Sequence, residues 1–229
     1  MKMTTIFSLI ITLLLKSHYS EQANGVVRVH VYFFDEYGSS TLDVTYKILF
    51  KNKISIQEVP LLRSIRDSSG EKTWVEIKHY SYLDPDKNVC YDYKNFSDTA
   101  KVMKYYSDID SVSVGGGWNF QSSKKFEYDS STNLKDTVIG DIQYSRIRLD
   151  KKINGDNVYF YLYYRCDKKG ILVNLFKPLS DSIGCPIVRD DTFVKNKLFM
   201  TRELEFISDS LSLNEIKIFD VWSKNERNK

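Results

Sequence analysis

Apolar side chains recur at every second residue over much of this sequence, and that period is the feature that most restricts its fold. From Val27 the odd positions are Val27, Val29, Val31 and Phe33, with Arg28, His30 and Tyr32 between them. After a turn at Glu36-Tyr37-Gly38-Ser39, residues Leu42, Val44, Tyr46, Ile48 and Phe50 alternate with Asp43, Thr45, Lys47 and Lys51. Successive side chains of a strand point to opposite sides of a sheet, so such runs bury one face and wet the other. The two runs are expected to pair antiparallel.

Shorter strands are expected at 54–59 and 73–82. The clearest local signal follows at 142–176. Residues 142–149 read as a strand whose apolar positions change parity after Tyr144, which predicts a bulge near Ser145. Asn154-Gly155 is the favoured dipeptide of a two-residue hairpin turn, because both positions tolerate positive φ. Residues 158–166 return, Asp167-Lys168-Lys169-Gly170 turns, and 171–176 makes a third strand ended by Pro178. Strands at 198–207 and 215–222 close the chain.

Val112-Ser113-Val114 leads into Gly115-Gly116-Gly117 and Trp118, with neither a helix start nor a nearby lysine, so the glycines predict a bulge or tight bend. Phe96, Ala100 and Met103 have helical spacing behind Ser97 or Asp98 as cap, which predicts one short helix over 97–106. The expectation is an all-β fold, mainly antiparallel, of about ten strands in a sandwich or a barrel, with that one helix. Longer connections fall at 60–72, 83–111 and 177–197. No repeat or low-complexity linker interrupts 21–222, which reads as one domain.

The chain ends constrain its compartment. Lys2 precedes an apolar stretch at 6–15, and Lys16, Ser17 and His18 end it. Ten residues rise about 15 Å as a helix, half the apolar thickness of a bilayer. Residues 1–20 therefore read as a cleaved signal peptide, cut after Ser20 or Ala23. No second apolar run reaches spanning length, and 223–229 reads as a disordered charged tail. The chain is expected outside the cell.

Three cysteines, Cys90, Cys166 and Cys185, give such a protein one bridge and a spare thiol. Cys166–Cys185 encloses a strand and a turn and is the favoured pair, with Cys90–Cys166 competing. Asn95-Phe96-Ser97 is an N-glycosylation sequon. Of 33 basic residues Lys2 and Lys16 leave with the signal, so 31 face 30 acidic ones. That balance offers no net attraction to nucleic acid or an anionic membrane.

Signal removal leaves only His30 and His79, and neither a Cys-x-x-Cys nor a His-Glu-x-x-His spacing occurs, so no metal and no cofactor is expected. His79 shares parity with Val75 and Ile77, as a core histidine would. No Gly-x-Ser-x-Gly elbow is present. The candidate site is the strand at 158–166. Its even positions, Val158, Phe160, Leu162, Tyr164 and Cys166, face a core, and Tyr159, Tyr161, Tyr163 and Arg165 face the other way. Tyrosine and arginine anchor protein interfaces, although tyrosines on strands also pack beneath neighbouring elements.

The first functional expectation is a secreted, non-enzymatic binding protein that engages an extracellular protein partner. Abundant Lys, Asn, Ile, Tyr and Asp match AT-rich codons, which points to a parasite or virus and a host partner. The alternative is a carrier of a small apolar ligand in a lipocalin-like barrel lined by Trp74, Trp118 and Trp222. A secreted hydrolase with paired carboxylates, which follow no fixed spacing, is the third reading.

Overall fold

Alternation becomes ladder pairing in the computed structural model, which describes residues 24–67, 70–112, 126–168, 173 and 175–225. Two antiparallel meanders build the sheet. The first comprises β1 (Asn24–Phe34), β2 (Ser40–Lys51), β3 (Ile54–Asp67), β4 (Gly70–Asp84), β5 (Val89–Tyr93) and β6 (Val102–Tyr106). The second comprises β7 (Ser130–Ile139), β8 (Ile142–Ile153), β9 (Asp156–Tyr164), β10 (Ile187–Val194) and β11 (Lys197–Ser208). Pairing of β1 with β11 joins them into one sheet of order β6-β5-β4-β3-β2-β1-β11-β10-β9-β8-β7. The all-β, antiparallel class is therefore observed, as one eleven-stranded sheet rather than two stacked ones. Its edges, β6 and β7, do not pair with each other among the described residues.

Tight turns hold the meanders in register. Asn154 (φ 52°) and Gly155 (φ 87°) take the left-handed conformations that the Asn-Gly dipeptide favours. Asn52 (φ 56°) does the same between β2 and β3, and Lys195-Asn196 between β10 and β11.

Two α-helices lie on opposite faces, α1 (Lys177–Ile183) and α2 (Leu213–Asn225). On the α1 face Val27, Val29, Val31, Val44, Ile48, Leu149, Phe160, Leu162 and Leu204 form the main core. On the α2 face Val26, Leu49, Ile56, Tyr82, Tyr91 and Tyr93 pack against Ile218, Phe219 and Trp222. A strand buried on both faces loses the clean alternation of a half-buried one.

That physics explains several departures. Residues 215–222, expected as a strand, belong to α2. Ser212 accepts from the Glu215 N–H (3.3 Å) and Glu215 accepts from the Ser212 N–H (2.6 Å), a reciprocal cap that starts the helix. The helix extends to Asn225, so 223–225 are helical rather than a disordered tail. The helix expected over 97–106 is absent, and β6 occupies its second half, paired with β5. Ser97 instead turns the chain, its hydroxyl accepting from the Thr99 N–H (3.2 Å). Pro178 does not end a strand but sits in the first turn of α1, where its missing N–H costs nothing.

Three expected connections hold regular structure. Residues 60–67 belong to β3 and 70–72 to β4, 83–111 contain β5 and β6, and 177–197 contain α1 and β10. Pro60 is tolerated inside β3 because β2–β3 pairing stops at Ile48–Gln57. There the Glu58 carboxylate accepts the Lys47 N–H (2.7 Å) in place of a ladder partner. The bulge expected near Ser145 is borne by the partner strand, where the β7 register slips between Leu134 and Thr137. The parity change in β8 has another cause. Tyr144 packs on the α2 face against Tyr163 (6.0 Å), and Leu149 is buried on the α1 face. The signal peptide at 1–20, the glycines at 115–117, Ile171, Leu172 and Asn174 of the expected third strand, and 226–229 lie outside the described residues.

Candidate functional site

From residue 175 the segment carrying α1 lies on the main core as a strap, with Phe176, Leu179 and Ile183 packed into it and a disulfide at its end. Cys166 and Cys185 form the expected disulfide, with Cα atoms 4.7 Å apart over a sequence separation of 19. Closing such a loop stabilises by about 3 kcal/mol. Gly184, in a left-handed conformation (φ 74°), ends the helix by returning its N–H to the Ser180 carbonyl (2.8 Å). The Ser180 hydroxyl donates to the Cys185 carbonyl (2.7 Å), fastening the helix to the bridge. Before the helix, Phe176 is pressed into the core, edge-on to Phe126 (5.2 Å) and Phe160 (6.4 Å).

Beneath Phe176 lies a buried ion pair. Arg202 and Asp190 have no exposed side-chain surface and meet at 2.7 Å, and the guanidinium lies 5.2 Å from the Phe176 ring. Burial pushes the Asp190 carboxyl above the usual carboxylate range, against the pull of Arg202.

Beside the strap a cleft of about 240 Å³ separates α1 from β8. Phe126, Tyr128 and Leu149 form one side, and Pro178, Leu179 and Ser182 the other. Four of its six lining side chains are apolar, and Tyr128 and Ser182 bring hydroxyls. The Lys151 ammonium stands at its edge, 5.1 Å from the Phe126 ring. A second cleft, about 390 Å³, lies at the ends of β7, β8 and β9 and includes Asp136, Asp141 and Asp167. Two of those carboxylates are already engaged, Asp136 by Gln143 (3.2 Å) and Asp167 by Arg165. Glu58 and Asp190, the carboxyls that burial raises, line neither cleft.

Tyr159, Tyr161 and Tyr163 do share one face, on the α2 side, but within an internally bonded array. Cross-strand register aligns Arg148, Tyr161, Asp191, Thr201, Tyr32 and Asp43 across six strands. Arg146, Tyr163, Arg189, Glu203, His30 and Thr45 form the adjacent row. Tyr163 is buried and donates to Asp191 (2.7 Å), which also accepts from Thr201 (2.7 Å). Burial and that carboxylate push the Tyr163 hydroxyl pKa up. Arg148 covers the Tyr159 ring at 4.2 Å, and Phe193 meets Tyr161 edge-on at 5.3 Å. Arg165 lies past the end of β9, bonded to Asp167, and does not join the array.

The remaining candidates are dispersed. Asn95 is exposed, in a turn whose Phe96 packs on Trp222 (6.0 Å). Cys90 is buried and free, its thiol pKa raised by burial. His79 is partly buried, 3.5 Å from Asp92, and burial lowers its pKa despite that carboxylate. Among the described residues no group of three metal-ligating side chains converges. The tryptophan-lined cavity is not assembled. Trp222 is buried between α2, which carries it, and the sheet, Trp74 is exposed on β4, and Trp118 lies outside the described residues. No described helix is long and apolar enough to cross a membrane.

No family model and no curated protein matches this chain. Among solved structures it is similar to LprF from Mycobacterium bovis, with a TM-score of 0.41 and 7% identity over 83% of this chain and 88% of that one. It is also similar to the Mycobacterium tuberculosis lipoprotein LppX, with a TM-score of 0.38 and 9% identity over 93% of this chain and 99% of that one. Likeness at that level carries no information about a ligand.

Of the cleft residues only Pro178 carries a signal in the sequence. Pro178 and Gly184 bracket one helical segment as a starter and a stopper.

Proposed function

We propose that this chain is a secreted, non-enzymatic carrier that holds a small apolar ligand in the cleft between α1 and β8. The observation that carries the reading is the pairing of a cleft lined mainly by apolar side chains with a disulfide-closed strap as one wall. Binding sites for small molecules are mostly apolar recesses with a few fixed polar groups, and here those groups are the Tyr128 and Ser182 hydroxyls. At about 240 Å³ the cleft falls below the roughly 300 Å³ of pockets that engulf a whole drug-sized molecule. One slender apolar chain suits it better than a bulky ring system. Export through the segment 1–20, as one extracellular domain over 21–222 with a glycan on exposed Asn95, agrees with a disulfide made in an oxidising compartment.

Ser182 is exposed, so a tryptophan there would cross the cleft mouth without entering the core. Titration with octadecatetraenol, a neutral linear polyene that serves as a fluorescent dye, should show uptake by the native chain. Ser182→Trp should weaken that uptake about tenfold or more at an unchanged melting temperature. Equal uptake by the two proteins would remove the cleft from consideration.

A second reading, binding of an extracellular protein, is supported by the partial exposure of Tyr159 and Tyr161 on one sheet face. Because Tyr163 is buried, it drops out of the test. Tyr159→Ala and Tyr161→Ala should each cost about 2 kcal/mol of partner affinity in a pull-down from extracellular fluid, with the fold retained. Undiminished capture by both variants would discard this face.

A further inference from the structure

We infer that the ligand of the α1 cleft is a single-chain amphiphile with an anionic head, and that Lys151 receives the head. The inference rests on the cleft reading above and adds the charge of the ligand. Lys151 follows Leu149 by two positions on β8, so both side chains stand on the α1 face. Leu149 is fully buried at the cleft floor, while Lys151 is only partly buried, opposite Val158. The ammonium thus stands where the apolar wall meets solvent, held 5.1 Å from the Phe126 ring, itself part of that wall.

Two cations near the cleft, one on α1 and one on β8, are held by carboxylates, and Lys151 differs from both. Lys177 is paired with Asp181 (2.6 Å), and Arg148 with Asp150 (2.7 Å). Lys151 forms no ion pair with a described residue. The nearby carboxylates serve other groups. Asp150 points to the opposite face and also accepts from Ser130 (2.9 Å), and Asp129 accepts the Lys152 N–H (2.8 Å). An uncompensated ammonium beside an apolar slot fits a molecule with a buried chain and a carboxylate or phosphate end, because a charge-assisted hydrogen bond forms as the chain is desolvated.

Displacement of the same dye by hexadecanoate and by hexadecanol, which share a chain and differ in head charge, tests the assignment. The native chain should bind hexadecanoate about tenfold more tightly than hexadecanol. Lys151→Met should bring the ratio close to one by weakening hexadecanoate alone. Lys152→Met, which removes an exposed charge from the opposite face, should leave the ratio intact. Retention of the preference by Lys151→Met, or equal affinity of the native chain for both amphiphiles, overturns the head-group assignment. Failure of both amphiphiles to displace the dye overturns the cleft reading itself, and this inference with it.

Discussion

Arg202→Met should destabilise the protein by about 3–5 kcal/mol in chemical denaturation, because it leaves the Asp190 carboxylate buried without its counter-charge. The pair is wholly enclosed, with Val31 as one register neighbour of Arg202 and Phe176 above the guanidinium. The loss should depend on pH in a definite direction. Burial already raises the Asp190 pKa above the usual carboxylate range, and removal of the guanidinium raises it further. A raised carboxyl favours the folded state while protonated, and that contribution is lost as pH rises through the folded pKa. The variant should therefore lose less stability near pH 4 than near pH 8. The double variant Asp190→Leu with Arg202→Met should regain much of the loss, since apolar replacement of a whole buried pair is often neutral or better. A deficit below about 1 kcal/mol for Arg202→Met would show that the pair does not brace the core.

Trp222→Ala should lower the melting temperature by roughly 6–20 °C, the equivalent of about 3–5 kcal/mol in a chain of this size. Trp222 is fully buried, stacks on Tyr93 at 3.8 Å and lies edge-on to Tyr82 at 6.5 Å. Its indole N–H donates to the Ser97 carbonyl (3.0 Å), so the one side chain fixes α2, the sheet and the turn that carries Asn95. Trp222→Phe keeps much of the packing but leaves that carbonyl unpaired, so it should cost about 1–3 kcal/mol. Similar melting temperatures for the native and alanine proteins would mean that α2 is dispensable to the sheet.

The strands most legible in the sequence are those buried on one side. In β1 and β2 the odd and even sets separate cleanly, so their pairing follows from periodicity. The segments at 215–222 and 97–106 misled for opposite reasons. In the first, Ile216 and Ile218 mimic a strand, whereas Ile218, Phe219 and Trp222 are the residues buried along one side of a helix. In the second, Phe96 and Ala100 are apolar because α2 covers them, not because they repeat along a helix of their own. Strand β10 escaped detection because its core-facing positions hold Asp190 and Thr192, polar residues tolerable only where Arg202 and their own hydrogen bond await them.

The sequence alone determined the strand-rich class, the Asn154-Gly155 hairpin and the common face of Tyr159, Tyr161 and Tyr163, because each depends on neighbours along the chain. It also favoured Cys166–Cys185, which encloses a short stretch. Tertiary structure alone decided that one sheet is packed on opposite faces in its two halves, that the tyrosine face is bonded within itself, and that a cleft opens beside α1. Those features depend on which distant side chains meet, such as Phe126 with Phe176 or Arg202 with Asp190. Periodicity reports the face on which a side chain stands, but not what stands opposite it.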